Sequence, residues 1–170
     1  MHEKIILDAC CGGRMFWFEK KHPNALYVDI RIAEKGHIQN GWNPNHEVKP
    51  DEIADFRNLP YKDNTFRLVV FDPPHIVRQK PSPSAVIQKK YGVLSKETWQ
   101  DDLKRGFNEC WRVLSDYGVL IFKWGDNDVK VSEILSLFPE KPLFGHPSGS
   151  KNQNHWMVFM KIPKISDVKG

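Results

Sequence analysis

The chain has 170 residues, enough for one domain with a real core, and 40% hydrophobic with 27% charged content reads as a soluble globular protein. Its net charge of +4 permits a nucleic-acid partner without demanding one, and no apolar run approaches the roughly 18 residues that span a bilayer, so no membrane partner is expected. The opening MHEKIILDACC lacks the layout of a secretory signal, which makes a cytoplasmic location the expectation.

In chain order, short apolar runs alternate with amphipathic stretches, the pattern of a parallel sheet covered by helices. KIILDA is a first strand, and RMFWFEKKH reads as a helix closed by Pro23. ALYVDI is a second strand, followed by EKGHIQNGWNPNHEVKP, whose Gly, Pro and Asn content favours an irregular loop. PDEIADF is a weak third strand before the turn-rich RNLPYKDNT, and FRLVVFD is a fourth, continuous as doubly buried parallel strands are. The basic, proline-bearing stretch HIVRQKPSPSAVIQKKYGV fits no simple element.

The strongest helix signal comes next. Ser95 can cap it, Trp99, Leu103, Phe107, Cys110 and Leu114 fall on one face, and Gly118 stands where a left-handed terminal residue is wanted. GVLIFKW is a fifth strand and DVKVSEILSLF a helix ended by Pro139. KPLFGH and HWMVFMKI, framing PSGSKNQN, suggest a closing antiparallel pair. No repeat, low-complexity run or linker is visible, so residues 1–170 are expected to form a single domain without a separate target-recognition domain. Cys10, Cys11 and Cys110 lack zinc or bridging spacing and are expected to be reduced thiols near the core. His37 and His46 fit no zinc pattern and read as surface histidines, leaving no metal site expected.

Acidic residues mark the strand ends. In LDACCGGR, Gly12 and Gly13 open a turn that either lets a ligand approach the backbone or is simply a tight turn. Asp29, about 20 residues on, can accept both hydroxyls of a ribose or merely cap a turn. Asp55 lies at the end of the third strand and could equally be only a turn residue. Such ends converge on the ligand-binding edge of a doubly wound sheet, which together favours a nucleoside-type cofactor.

The fourth strand stops in FDPPH. Pro73 and Pro74 carry no backbone N–H and fix φ, so the Asp72 side chain and the Pro73 carbonyl become two acceptors held close together. Two acceptors can orient an aromatic NH2 so that its lone pair points at an electrophile, and can stabilise the charge that develops there. A rigid strand-ending turn is the plainer alternative. His75 can stack on a flat base, donate a hydrogen bond, or cap the turn.

These residues resemble a class I S-adenosylmethionine-dependent methyltransferase, and most closely the amino-methyltransferases of DNA and RNA that carry Asp/Asn/Ser-Pro-Pro-aromatic, including small phage and prophage-type adenine methyltransferases. LDACCGG resembles the cofactor loop, VDIR the ribose-binding strand end, ADFRNLPYKDNTFRLVVFDPP the stretch up to the catalytic loop, and ECWRVLSDYGVLIFKW the helix and strand beyond. The resemblance implies a Rossmann-like doubly wound α/β sheet of about seven strands, mostly parallel with an antiparallel C-terminal strand, binding S-adenosyl-L-methionine. It implies Asp8, Ala9, Cys10 and Gly12 around the methionine half, Asp29 on the ribose, Ile30 packed on adenine, and Asp55 on the adenine amino group with Phe56 beside it. Asp72, Pro73, Pro74 and His75 would form the catalytic tetrad. DACCGG replaces the commoner acid-x-Gly-x-Gly-x-Gly, and His75 replaces the usual Tyr, Phe or Trp.

The expected reaction is therefore methyl transfer to an exocyclic amine, adenine in DNA or RNA first. The alternatives are a small-molecule or protein nitrogen, or a silent cofactor-binding interaction subunit. For substrate contact the loop after FDPPH offers Arg78, Lys80, Lys89, Lys90 and Tyr91, and the C-terminal loop offers Lys151, Asn152 and Asn154. Each has a bland counterpart, a solvated loop and a hairpin tip. Lys123 and Trp124 end the fifth strand within reach of the cleft, Trp124 being first a packing residue. Specificity is expected to be low, or supplied by a homodimer or a separate partner.

Overall fold

A computed structural model describes residues 3–38, 43–80, 82, 85–148 and 154–164. The strands are β1 (Ile6–Asp8), β2 (Ala25–Asp29), β3 (Glu52–Ile53), β4 (Phe66–Phe71), β5 (Val77–Arg78), β6 (Leu94–Ser95), β7 (Leu114–Gly125), β8 (Phe144–Ser148) and β9 (Asn154–Met160). The helices are α1 (Val86–Tyr91), α2 (Trp99–Val113) and α3 (Val131–Ser136). Seven strands form one sheet in the order β3-β2-β1-β4-β7-β9-β8. The first five are parallel, while β9 runs antiparallel to β7 and β8 antiparallel to β9, as the closing pair predicted. β5 and β6 make a separate two-stranded parallel ribbon. The chain winds outward from β1 through β2 to β3, then restarts at β4 on β1's other side. That reversal opens a crevice at the carboxyl ends of β1 and β4.

Of the predicted stripe, Trp99, Leu103, Phe107 and Cys110 are buried on α2, while Leu114, also buried, is already the first residue of β7. Phe107 stacks on Phe138 at 4.1 Å between centroids and meets Phe159 edge-on at 5.1 Å, tying α2 to the β7–β9 half. Gly106 lets the helix approach closely. A Cβ there would lie 2.5 Å from Phe56 Cδ2 and 2.7 Å from Phe71 Cζ. Gly106→Ala gains about 1 kcal/mol of helix propensity but overpacks two rings at about 1–3 kcal/mol. We expect a net loss of up to about 2 kcal/mol, read from the urea midpoint.

Four expectations are corrected. Residues 14–22 form turns and no helix: Gly12 and Arg14 adopt φ of 46° and 52°, and the Arg14 guanidinium captures the Lys20 carbonyl at 2.7 Å. Ser95 belongs to β6, its hydroxyl accepting from the Glu97 N–H at 3.3 Å, and the helix starts at Trp99 behind Thr98. Gly118 is no helix terminator, because α2 runs directly into β7 and the left-handed residue is Tyr117, φ 60°. Gly118 is needed instead for packing, since a Cβ would lie 2.7 Å from Leu114 Cδ1 and from the Ser115 carbonyl oxygen. The third strand shrinks to the two residues of β3, because Asp55 curls back into a turn with Asn58. Between β2 and β3 the chain is irregular as read, pinned by the Ala33–Val48 bridge.

Candidate active site

A cavity of about 820 Å³ opens at the carboxyl edge. Ala9, Cys10 and Gly12 after β1, Asp29 and Ile30 at β2, Asp55 and Phe56 after β3, and residues 72–75 after β4 all contribute walls. The volume lies within the 300–1,000 Å³ range usual for small-ligand sites.

Asp8 is the exception. It is fully buried beneath the cavity and is not one of its walls, its carboxylate accepting the Trp17 indole N–H at 2.7 Å and the Cys10 N–H at 3.4 Å. Burial pushes its pKa up to about 7; the Trp17 hydrogen bond opposes this, and the charges of Asp72 and Asp29 add to it. The structure places this carboxylate under the loop whose residues Ala9, Cys10 and Gly12 line the cavity.

Asp29 staples two strand ends together. One oxygen accepts the Gly12 N–H at 2.9 Å, and the other accepts the backbone N–H and Nε of Arg31 at 2.9 and 3.0 Å. Gly12 sits at φ 46°, where a side chain would be strained. Asp55 repeats the device: Arg57 donates its backbone N–H at 2.9 Å and grips the carboxylate with Nη2 at 2.6 Å. Nη1 of Arg57 bridges to Asp102 on α2 at 2.8 Å. The side-chain hydrogen bonds from Arg57, outweighing burial, hold the Asp55 carboxyl below its ordinary range. Sequence reasoning singles out neither arginine, although VDIR and ADFR display the same acid-x-Arg spacing.

Asp72 is held by a lysine and a histidine. Lys123 Nζ lies 2.9 Å from one oxygen and His75 Nε2 3.0 Å from the other. Burial alone would raise the Asp72 pKa, but the His75 hydrogen bond and the Lys123 charge outweigh it and hold the group below its usual value. His75 Nε2 also lies 3.2 Å from the Lys123 carbonyl. With acceptors on both sides that nitrogen carries the hydrogen, which leaves Nδ1 as an acceptor. The ring packs on Trp124 at 5.0 Å with its side chain only 13% exposed, so it does not stand out as a stacking face.

Gly125 is buried beside it. A Cβ on Gly125 would lie 2.9 Å from Asn154 Oδ1 and 3.0 Å from both Asn127 Nδ2 and His75 Nδ1. Three polar groups therefore crowd the position, which only glycine can occupy without displacing them. Phe16 and Trp156 meet edge-on at 5.4 Å and flank Lys123, whose Nζ lies 5.8 and 5.5 Å from their centroids.

Other sequence expectations fare unevenly. Tyr91, with Lys90, is a wall of the cavity. Arg78 is not: it pairs with Asp128, which also accepts the Val77 N–H at 2.9 Å. Lys80 is exposed and lies away from the walls. Lys151 and Asn152 fall outside the described residues. Trp124 is a packing residue, fully buried with its indole N–H on the Val129 carbonyl at 2.9 Å. His46 is buried, not superficial, and burial lowers its pKa. The cysteines are free, and burial pushes the Cys11 thiol up to about 12.

No protein-family model matches the chain, and no curated protein matches it in sequence. Solved structures do match in shape. An S-adenosylmethionine-dependent methyltransferase from Methanosarcina mazei superposes with a TM-score of 0.56 at 13% identity, over 96% of this chain and 95% of that one. Geranyl diphosphate methyltransferase, solved with S-adenosylmethionine, gives 0.55 at 11% identity, over 94% and 79%. The chain shares their Rossmann-like α/β fold. The cyclase SpnF superposes on this fold equally well, with a TM-score of 0.56 at 11% identity over 95% of this chain and 76% of that one. Within the fold, the acids Asp29, Asp55 and Asp72 stand at the ends of successive strand segments around one crevice.

Proposed function

We propose that this protein is an S-adenosyl-L-methionine-dependent methyltransferase acting on an exocyclic amino nitrogen, with adenine in DNA or RNA as the first acceptor class. The observation that carries the reading is the gathering of the Gly12 turn, Asp29, Asp55 and Asp72 around one cavity of about 820 Å³ at the switch point of a methyltransferase fold.

The residues present fit the cofactor. Small residues Ala9 and Gly12 allow close approach to the backbone, Asp29 offers carboxylate oxygens for ribose hydroxyls once Arg31 swings aside, and half-exposed Ile30 with Phe56 offers apolar faces for adenine. When bound, the cofactor supplies a methyl group on an electron-poor sulfonium sulfur. Asp72, ionised by its pairing with Lys123 and His75, accepts a hydrogen bond from the acceptor amine and stabilises the positive charge the nitrogen gains. The prolines fix that carboxylate's approach and add no competing donor. His75 orients Asp72 through Nε2 and presents Nδ1 to the acceptor's edge, with Asn127 and Asn154 beside it.

A small flat amine is the second reading. It is favoured by His75 lying tucked against Trp124, where the nucleic-acid enzymes the sequence resembles have a stacking ring. Calorimetry with S-adenosylmethionine, followed by labelled-methyl transfer to separate DNA, RNA, protein and metabolite pools, tests both. Binding with label in nucleic acid supports the first reading, and label in metabolites alone moves the acceptor to the second. Absence of cofactor binding by folded protein sinks both.

A further inference from the structure

We propose that the turns of residues 12–22 form a docking surface for the phosphodiester backbone of a single-stranded nucleic acid, just outside the active-site cavity. The inference rests on the nucleic-acid form of the proposed function and adds where the strand is held.

The segment expected to be a helix instead borders a second cleft of about 720 Å³. Gly12, Gly13, Met15 and His46 wall both spaces, so the cleft and the cavity share a thin partition. Arg14 builds the cleft. Its guanidinium lies 3.8 Å from the centroid of the Tyr27 ring, pairs with Asp51 at 2.9 Å, and takes the carbonyls of Lys20 and Lys49 at 2.7 and 2.8 Å. Two lysines far apart in sequence are thereby brought to one rim, with Lys21 beside them.

Arg14 spends its own charge on Asp51, but Lys20, Lys21 and Lys49 are exposed and form no ion pair with any described residue. Glu47 is the only other carboxylate along the cleft's described walls. The rim is therefore net cationic and its cations are uncommitted, as binding that displaces counterions from phosphates requires. Two residues before Lys20, Phe18 is fully exposed, and Met15 is half-exposed. A free aromatic face beside free lysines is the combination by which base stacking and phosphate contact hold single strands without reading sequence. A duplex offers no free base face to Phe18, which is why the occupant is single-stranded.

The test uses the full chain and a labelled single-stranded oligonucleotide of mixed sequence, titrated across a salt series, with the matching duplex as comparison. Replacing Lys20, Lys21 and Lys49 together by alanine is expected to weaken binding at least tenfold and to flatten the slope of log affinity against log salt by about 2, at roughly 0.7 for each phosphate no longer neutralised. Phe18→Ala is expected to weaken binding about 5-fold or more with an unchanged slope, since stacking is uncharged. Cofactor affinity by calorimetry should stay the same in both variants, which shows that they are folded. An unchanged oligonucleotide affinity in the lysine variant, or duplex bound more tightly than single strand, overturns the proposal. If the wild type methylates nucleic acid and the lysine variant does so equally at low strand concentration, the docking surface is wrong while the proposed function stands. If the wild type methylates only metabolites and binds no oligonucleotide, both fall.

Discussion

Asp72→Ala should lower kcat for methyl transfer by about 10²–10³-fold, the usual loss when a preorganised electrostatic partner is removed from a developing charge. S-adenosylmethionine affinity should remain within a few-fold, because that ligand's expected partners, Asp29 and Asp55, are held independently by Arg31 and Arg57. Asp72→Asn keeps one acceptor oxygen but gives up the charge that Lys123 and His75 complement, so a smaller loss is expected. The pH profile makes the prediction sharper. Asp72 is needed ionised and its pKa is held below the usual 3.8, so its protonation should not limit the rate anywhere above about pH 4. Lys123→Met removes the lysine charge that helps keep Asp72 ionised, which must move the acid limb toward higher pH. Wild-type kinetics in Asp72→Ala, or an acid limb that does not move in Lys123→Met, would refute this role.

The second large effect belongs to Asp8 and to stability. Its folded-state pKa, about 7, lies above the ordinary 3.8, so the native state binds its proton more tightly than the unfolded chain does. The resulting stabilisation is fully present below about pH 4 and is lost as pH rises through 7. At about 1.4 kcal/mol for each pKa unit, it amounts to something on the order of 4 kcal/mol. Asp8→Asn keeps an oxygen for the Trp17 indole N–H and has no charge to bury. Urea midpoints of the two proteins, measured from pH 5 to pH 8, should therefore diverge with rising pH, the asparagine variant becoming the more stable. Parallel curves would mean that Asp8 is not buried as described.

What can be read from the sequence is whatever neighbouring residues decide among themselves. The stripe from Trp99 to Cys110 depends only on helical spacing, and FRLVVFD only on continuity, so both are legible. So is the closing pair of β8 and β9. The segment RMFWFEKKH has a helical composition, but its course is decided by contacts that composition cannot reveal: Arg14 with the Lys49 carbonyl and Asp51, and Trp17 with Asp8. At the site, the strand-end acids are visible because their spacing follows the strands, and the cavity does bring Asp29, Asp55 and Asp72 together. Their cations are harder to see. Arg31 and Arg57 reach back only because the chain curls so that a backbone N–H two residues on meets the same carboxylate. Arg78 reads as free because Asp128, which holds it, lies 50 residues away.

Those acid–arginine clamps bear on turnover. With Asp29, Asp55 and Asp72 each matched to an internal cation, the crevice is close to electrically balanced before anything enters it. A balanced crevice has little reason to favour a positively charged methyl donor over the neutral thioether left after transfer. On the proposed chemistry, the spent donor would compete with the fresh one on nearly equal terms, and product inhibition would set the pace.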